Sequence, residues 1–348
     1  MKALLAWYRR GKRDLPWRRT KDPYRIWVSE VMLQQTTVRV ALPYYESFLR
    51  RFDTVTALAA AGEEDVLAAW SGLGYYHRAR NLHKGARYLL ARHGGAFPRS
   101  LEAALAIPGV GLYTASAVLS IAFAKPLPVV DGNVRRVLAR FHDLRGKQWL
   151  REGPYYNLAE QLLDASAPGD WNQALMELGA TICRPRKPAC PACPLRRGCR
   201  ARAAGRQEEL PLSRRKRPTV KVTVAAAVVQ KHGRILLVRR EKGRLMGGMW
   251  ELPQTSLESR GLPDLVGEMK SRHGLTLAPG PLVASAGHTI TFRRIRIEAY
   301  EARLVGRAHD SDRHLWATRD EIASLPVSSM THKVVRSLAS QQRPLSLQ

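Results

Sequence analysis

The chain has 348 residues, 45% of them hydrophobic, which is enough for two domains with packed cores. Lys and Arg total 57 against 29 Asp and Glu, which gives a formal net charge of +28. Solubility alone requires far less charge, so a nucleic acid is the favoured partner, with a basic proteome or a membrane-surface role as alternative explanations. No apolar run approaches bilayer length and no secretion signal is evident, so we expect a cytoplasmic, nucleoid-associated protein with no membrane association.

The first part of the chain, residues 1–204, shows helical periodicity and no run of strand alternation. Glycine and proline residues separate the periodic segments. The predicted helices are Ser29–Phe52, Glu63–Trp70, Ala79–Arg92, Leu101–Ala106, Tyr113–Phe123, Val134–Phe141, Tyr155–Ala165 and Trp171–Cys183. Many helices with short connections predict a compact, mostly α domain.

The pattern changes after residue 204. Residues 205–220 are polar and basic with two prolines, which predicts a linker. Residues 221–348 then alternate as strands do and contain two helical segments. The predicted strands are 222–229, 234–240, 282–287, 291–305 and a segment at Trp316, and the helices are 263–273 and 329–340. This part is predicted to be an α+β domain.

All four cysteines fall within residues 183–199, at Cys183, Cys190, Cys193 and Cys199. Two disulfides are possible on paper, but a reducing compartment disfavours them. Thiolates from one short loop suit a soft metal, either zinc or an iron–sulfur cluster. Structural zinc sites usually pair two C-x2-C motifs, and only Cys190 and Cys193 form one here. The wider outer spacings therefore favour a cubane.

The segment Leu105–Ala115 joins two predicted helices by a turn that contains Gly109, Val110 and Gly111. Glycine lets the backbone turn tightly and present its N–H groups beside a helix N-terminus, which suits a phosphate. Ordinary helix capping is the alternative. In a chain of this charge, a DNA backbone clamp is the favoured interpretation.

The hairpin, Asp131 and the cysteine loop follow one another in the order seen in helix-hairpin-helix DNA glycosylases. Residues 1–200 resemble the endonuclease III and MutY branch. The segments 15–18, 29–36 and 72–76 more closely resemble the MutY family of adenine DNA glycosylases. This resemblance implies a 4Fe-4S cluster on the four cysteines. It also implies hydrolysis of the N-glycosidic bond of a mispaired adenine.

Such hydrolysis needs one carboxylic acid that is protonated near neutral pH and another that remains ionised to face the cationic sugar. Glu30 lies within an apolar helical segment, where burial would raise its pKa, so it is the candidate acid. An exposed helical glutamate is the alternative. Asp131 is the candidate stabiliser of the sugar, and it could also cap the next helix. The resemblance assigns Asn133 a hydrogen-bonding role beside it.

Tyr113 bears on the type of reaction. Bifunctional relatives have a lysine just after the hairpin, whose amine forms a Schiff base with the sugar. Tyr113 cannot do so, which predicts a monofunctional glycosylase without lyase activity. Its hydroxyl could still donate a hydrogen bond at the reaction centre.

The resemblance assigns further residues to DNA and to the excised base, because the base must leave the stack before it reacts. Positions that wedge the duplex or contact the opposite base are Gln35, Thr36, Leu73, Gly74 and Tyr75. Positions that line the adenine pocket are Arg13, Trp17, Arg18 and Gln173. A core role is the alternative for Tyr75, but Gly72 and Gly74 favour an exposed turn.

The C-terminal domain resembles the Nudix-like domain of the same family through residues 248–253. The glutamates that hold Mg²⁺ in a Nudix hydrolase are largely replaced, for example by Ser271 and Arg272, which predicts a reader and not an enzyme. The resemblance implies that this reader recognises the base opposite adenine. His288 and Thr291 are its candidate recognition residues. The flanking Ile290-Thr291-Phe292 departs from the family's Phe-Ser-His, which bears on the preference for 8-oxoguanine over guanine.

The leading hypothesis is a monomeric enzyme that acts on double-stranded DNA with adenine opposite 8-oxoguanine or guanine. One alternative is a glycosylase for another mismatched base, such as thymine opposite guanine. Another is a catalytically silent DNA-binding iron–sulfur protein, which Glu30 and Asp131 argue against. The order of water attack and the redox behaviour of the cluster are open at this stage.

Overall fold

The computed structural model describes residues 2–212, 218–241, 247–290 and 292–341. The chain divides into two compact units, which are Met1–Ala60 with Asn81–Lys216, and Ala61–Arg80 with Arg217–Gln348. The second unit thus takes a segment from the middle of the predicted helical domain, which the sequence analysis did not anticipate. Within the described residues, no helix has both the length and the apolar character needed to cross a membrane.

Residues 2–204 form helices with short connections, as predicted. The α-helices are α1 (Lys2–Gly11), α2 (Pro23–Leu33), α3 (Val38–Arg51), α4 (Val55–Ala60), α5 (Glu63–Ala69), α6 (His77–His93), α7 (Leu101–Leu105), α8 (Leu112–Phe123), α9 (Gly132–His142), α10 (Gly153–Leu162), α11 (Pro168–Thr181) and α12 (Arg200–Ala203). One buried cluster of the first unit contains Tyr8, Leu138, Tyr155 and Trp171. It lies between α1, α9, α10 and α11, so the apolar faces of these helices fix the position of Asp131 at the start of α9.

The predicted single helix Ser29–Phe52 is wrong. The chain ends α2 at Leu33 and begins α3 at Val38. Gln35 between them has a φ of +56°, a left-handed conformation that interrupts a helix. The carbonyl of Thr37 then accepts the first N–H groups of α3, from Val40 and Ala41. β-Branched threonines are weak helix formers, and Thr37 has the extended backbone of an N-cap residue, which is consistent with the break.

The second unit contains two sheets. The strands are β1 (Val220–Val228), β2 (Gln230–Lys231), β3 (Arg234–Arg239), β4 (Trp250–Glu251), β5 (Thr276–Ile290), β6 (Arg293–Val305) and β7 (His314–Ala317). One sheet has the order β1-β6-β5, with β1 parallel and β5 antiparallel to β6. In the other, β3 pairs with β2, β4 and β7, all antiparallel.

The described C-terminal part of this unit also contains the helices α13 (Leu262–His273), α14 (Arg319–Ser324) and α15 (Ser329–Gln341). The α+β prediction is confirmed, although β5 is longer than the predicted strand 282–287 and α14 was not predicted. Val224, Leu237, Ile297 and Val334 belong to one buried cluster, so α15 packs against residues of both sheets. The predicted linker, residues 205–220, lies partly outside the described residues.

Candidate active site

Glu30 lies on α2 and is buried, with 5% of its surface exposed. Burial, with a smaller contribution from the charge of Asp131, raises the pKa of Glu30 to about 7. The hydroxyl of Tyr113 donates a hydrogen bond of 2.6 Å to Oε2 of Glu30, and this bond and the charge of Arg18 oppose the rise in pKa. Glu30 therefore changes its protonation state close to neutral pH, as a general acid must.

Asp131 is the N-cap residue of α9. Its Oδ1 accepts the backbone N–H of Val134 at 2.7 Å, and its Oδ2 accepts Nδ2 of Asn133 at 2.7 Å. Burial raises the pKa of Asp131 above its ordinary value, and the hydrogen bonds from Val134 and Asn133 oppose this rise. The positive end of the helix dipole also favours a carboxylate at this position. The capping role considered from sequence is thus present in the structure.

A chain of hydrogen bonds joins Asp131 to the cysteine loop. Asn133, which donates to Asp131, accepts a hydrogen bond of 2.7 Å at Oδ1 from Nη2 of Arg136. Nε of Arg136 donates to the carbonyl oxygen of Cys183 at 2.7 Å. Gly179 permits this close approach of α9 and α11, because a Cβ there would lie 2.5 Å from Cβ of Asn133. The carboxylate at the start of α9 is therefore fixed by contacts that extend to the first cysteine.

A cleft with a volume of about 500 Å³ contains both carboxylates. The predicted site residues that line it are Arg13, Trp17, Arg18, Glu30, Thr36, Tyr113, Asp131, Asn133 and Gln173. Trp17 is buried and packs edge-to-face on Tyr45, with their ring centroids 5.1 Å apart. The structure therefore brings together the four proposed adenine-pocket residues and the four proposed catalytic residues.

Sequence reasoning missed Glu177, which organises one wall of this cleft. Nη2 of Arg13 lies 2.6 Å from Oε2 of Glu177, and Nη2 of Arg18 lies 2.7 Å from the same oxygen. Burial raises the pKa of Glu177, but the two arginines outweigh it and lower that pKa to about 2. Glu177 follows Gln173 by four residues on α11 and so shares its face, which is the signal that could have identified it.

Gln35 and Thr36 form the turn between α2 and α3. Gln35 is exposed and has a positive φ, and Thr36 lines the cleft that contains Glu30. The backbone N–H of Thr36 donates to the carbonyl oxygen of Leu33 at 3.3 Å, which closes the turn. Gln35 is therefore available to an external partner beside the cleft.

The segment Gly72–Tyr75 is also an exposed turn, as predicted. Gly72, Gly74 and Tyr75 have φ values of +93°, +79° and +51°, and 38% of Tyr75 is exposed. Leu73, in contrast, is buried. Of the two large side chains proposed as wedges in this turn, Tyr75 is the one on the surface.

The helix-hairpin-helix turn lies between α7 and α8. Gly109 has a φ of +79°, and a Cβ there would lie 2.4 Å from Cβ of Asn81, so only glycine fits. Val110 is buried and fixes the turn to the core. Gly111 is the N-cap residue of α8, and a Cβ at this position would meet no atom within 4 Å. The start of α8 therefore presents open backbone, which suits a phosphate.

The four cysteines are not joined by disulfides, and each is partly exposed. Cys183, Cys190 and Cys199 are close enough to Cys193 to raise its pKa, although burial has the larger effect. The buried guanidinium of Arg140 donates to the carbonyl oxygens of Arg184 and Pro185 at 2.7 and 3.0 Å. Over the part of the chain that the structure describes, no group of three or more His, Cys, Asp or Glu side chains is arranged to hold a metal ion.

The Nudix-like helix α13 carries Glu268, whose carboxylate is already engaged. Glu268 accepts the backbone N–H of Ser256 at 2.8 Å and forms an ion pair of 3.2 Å with Arg272. Gly274 ends α13 in a left-handed conformation. Arg272 neutralises the charge of Glu268, a glutamate that this helix keeps from the Nudix motif. This ion pair argues against Mg²⁺ binding.

His288 lies near the end of β5 and is half-buried. Burial, with a contribution from the charge of Lys333, lowers the pKa of His288 below its ordinary value. Nζ of Lys333 also donates to the carbonyl oxygen of Gly287 at 2.6 Å. Thr291, the other proposed recognition residue, lies outside the described residues.

Two known families match the chain. Residues 28–152 match the HhH-GPD superfamily of base excision DNA repair proteins, and residues 224–337 match the NUDIX domain. The first match includes the hairpin, Glu30, Tyr113 and Asp131. These matches define the class, a base excision repair fold followed by a NUDIX domain.

Curated relatives narrow this class. The human adenine DNA glycosylase is 34% identical over 410 residues, which cover 98% of this chain and 74% of the human protein. The Mycolicibacterium smegmatis adenine DNA glycosylase is 42% identical over 208 residues, which cover 58% of this chain and 69% of that protein. The chain therefore belongs to the adenine DNA glycosylase family.

Solved structures agree with this fold. A thermostable thymine-DNA glycosylase matches with a TM-score of 0.53 and 31% identity, and the match covers 58% of this chain and 94% of that chain. Endonuclease III, trapped in a covalent intermediate with DNA, matches with a TM-score of 0.51 and 23% identity over 59% and 94% of the two chains, which shows the shared fold.

Proposed function

We propose that the protein is a monofunctional DNA glycosylase that hydrolyses the N-glycosidic bond of adenine opposite 8-oxoguanine or guanine. The observation that carries this proposal is the cleft in which Glu30, with a pKa of about 7, shares a hydrogen bond with Tyr113 and lies near Asp131. Adenine is a poor leaving group unless it is protonated, and a carboxylic acid that is half protonated at neutral pH can supply that proton.

The reaction assigns a different task to each carboxyl group. Protonated Glu30 gives its proton to the adenine ring as the bond between the base and the sugar breaks, and adenine leaves with the bonding electrons. The Glu30 carboxylate that remains is stabilised by the Tyr113 hydroxyl at 2.6 Å. Asp131, ionised at the N-terminus of α9, faces the developing positive charge on the sugar until water adds. The negative charge of Asp131 also raises the pKa of Glu30, so an ionised Asp131 favours the protonated form of Glu30.

The side chain of Tyr113 is the basis for proposing that the protein does not cleave the DNA strand. Its hydroxyl is held by Glu30, and burial raises its pKa well above the ordinary value, so it stays protonated. A phenol offers no amine for a Schiff base with the abasic sugar. Base removal without strand cleavage is therefore the expected outcome.

We also propose that Cys183, Cys190, Cys193 and Cys199 hold a 4Fe-4S cluster. The four thiols do not form a site for a single metal ion among the described residues, but a 4Fe-4S cluster binds one thiolate at each of its irons and so needs a wider set of donors. The closeness of Cys183, Cys190 and Cys199 to Cys193, and the hydrogen bonds of Arg140 at the Cys183 end of the loop, support this assignment. When bound, the cluster would cross-link the loop, and no step of the hydrolysis requires electrons. Its expected task is therefore to brace a basic loop that faces DNA phosphates.

A second candidate function is excision of thymine opposite guanine. The similarity to the structure of a thermostable thymine-DNA glycosylase favours it, because that match covers 58% of the chain at 31% identity. The family membership of the whole chain and the NUDIX domain favour adenine.

The decisive experiment incubates the purified protein with four duplexes that differ at one pair, namely A:8-oxoG, A:G, T:G and A:T. Each reaction is divided and analysed with and without alkali, which cleaves the strand at an abasic site. We expect adenine release from the first two duplexes, with strand breaks only after alkali. Release of thymine alone would establish the second candidate, and strand breaks without alkali would disprove the monofunctional assignment.

A further inference from the structure

The segment Ala61–Arg80 belongs to the same compact unit as the C-terminal sheets. It contains α5 and then the exposed turn formed by residues 72–75, which we call the Tyr75 turn. This raises the question of which contacts fix the shape of the turn.

The Tyr75 turn is conformationally unusual. Three of its four residues have positive φ values, and Tyr75 at +51° is a bulky residue in a region that glycine normally occupies. Nη2 of Arg78 donates a hydrogen bond of 3.0 Å to the carbonyl oxygen of Gly74. The guanidinium of Arg78 also lies 5.4 Å from the centroid of the Tyr75 ring. A conformation of this kind persists only where surrounding contacts hold it.

Those contacts come from residues that follow the C-terminal sheet. The Tyr76 hydroxyl accepts the backbone N–H of Gly72 at 3.0 Å and donates to the carbonyl oxygen of Val327 at 3.1 Å. Oγ of Ser71 lies 3.1 Å from Nε2 of His332 and 3.4 Å from the same Val327 oxygen. Tyr76 and Val327 are buried, so water does not compete for these bonds.

Val327 is itself part of the sheet structure. It forms a parallel bridge with Trp250 of β4, and the backbone N–H of Trp250 donates to the carbonyl oxygen of Pro326 at 3.0 Å. Trp250 belongs to the segment 248–253 that carries the Nudix-like resemblance. An unbroken series of contacts thus leads from the Nudix-like sheet through Val327 and Tyr76 to the first residue of the Tyr75 turn.

Both ends of the segment also contact other residues of the same unit. Glu64 on α5 forms an ion pair with Arg239 of β3, and Arg80 donates to the carbonyl oxygen of Gly247. Arg80 also pairs with Glu63 at 2.9 Å. Exposed pairs contribute little energy individually, so the buried bonds of Tyr76 carry the specificity of the attachment.

We propose that Tyr76 and Ser71 are positioning residues through which the Nudix-like unit holds the Tyr75 turn in the shape that separates a base pair. The inference rests on the proposed function, because it requires that adenine be drawn out of a duplex before it reacts. Opening a paired base is costly, whereas a base without a partner is extruded with less energy. Removing a contact that supports the turn should therefore slow excision of paired adenine more than excision of unpaired adenine.

The test compares wild type with Tyr76→Phe in single-turnover excision from two duplexes, one with adenine opposite 8-oxoguanine and one with adenine opposite an abasic site. Loss of the Tyr76 hydrogen bonds to Gly72 and Val327 should slow excision of paired adenine by roughly tenfold and excision of unpaired adenine by less than about twofold. Tyr300→Phe is the matched control. It removes a phenolic hydroxyl that bonds Glu298 in the same unit, and it should change neither rate.

A double-mutant cycle identifies the path of the effect. If Tyr76 acts through Tyr75, Tyr76→Phe should cause no further loss in a Tyr75→Ala background. Equal slowing on both duplexes, no slowing on either, or additive losses in the cycle would overturn the inference. If Tyr76→Phe does not fold, as judged by thermal unfolding, Ser71→Ala takes its place with the same expected pattern. Wild type that is inactive on both duplexes would instead contradict the proposed function.

Discussion

The hydrogen bond between Tyr113 and Glu30 predicts a specific change in the pH dependence of excision. Tyr113→Phe removes the hydroxyl that lies 2.6 Å from Oε2 of Glu30 and leaves the aromatic ring in place. This hydroxyl stabilises the ionised form of Glu30 and thereby lowers its pKa. The variant should therefore have a Glu30 pKa above the wild-type value of about 7.

The size of the change follows from the strength of the bond. A hydrogen bond to a charged group contributes roughly 1.5–3 kcal/mol, and one pKa unit corresponds to about 1.4 kcal/mol, so the pKa should rise by about one to two units. The protonated form of Glu30 is the active one, so activity is present below its pKa and is lost as the pH rises through it. In the variant, the alkaline loss of activity should begin about one unit or more higher.

The assay is single-turnover excision of adenine from an A:8-oxoG duplex between about pH 5.5 and 9.5, a range that brackets the wild-type and variant pKa values. Tyr24→Phe is the control, because it removes a buried hydroxyl on the same helix that bonds the carbonyl oxygen of Phe52 and not Glu30. The control should keep the wild-type profile. In Tyr113→Phe, the alkaline loss of activity could instead occur at the same pH as in wild type or at a lower pH. Either result would refute the assignment of Glu30 as the acid whose pKa is lowered by the Tyr113 hydroxyl.

Three further changes test other parts of the site. Asp131→Asn should keep the cap of α9, since Asn caps helices as well as Asp, but should slow excision by on the order of 100-fold; wild-type turnover would exclude its electrostatic role. Glu177→Gln should lower the free energy of unfolding in urea by about 3 kcal/mol, because Arg13 and Arg18 lose a buried charged partner. Asp170 pairs with the exposed Arg9, so Asp170→Asn should change the free energy of unfolding by less than about 0.5 kcal/mol. Equal effects of the two substitutions would contradict this account. Cys190→Ser should reduce bound iron and sulfide together, and zinc in the wild-type protein would disprove the cluster.

Features that depend on local sequence were predictable. The apolar neighbours of Glu30 predicted its burial, and the glycines of the hairpin predicted a turn that only glycine can make at Gly109. The fold class followed from motifs and from the change in periodicity after residue 204. The break between α2 and α3 was missed because apolar residues lie on both sides of the four polar residues 34–37, and an apolar pattern does not reveal the left-handed conformation of Gln35.

Features that depend on distant residues were not predictable. Glu177 meets Arg13 across 164 positions of the chain, and Ser71 meets His332 across 261. Nothing local to either residue indicates its partner, because burial of a charge or a hydroxyl is decided by the packing of whole helices. For the same reason, the attachment of Ala61–Arg80 to the C-terminal unit was not evident from composition.

The central claim is that Glu30 delivers the proton that releases adenine. The most direct measurement compares wild type and Glu30→Gln on one A:8-oxoG duplex, with affinity measured by titration and excision by single-turnover kinetics. Glutamine keeps the size of the side chain and cannot donate an acidic proton, so binding should be unchanged while excision falls by about a thousandfold. Excision at the wild-type rate with unchanged binding would show that another group is the acid.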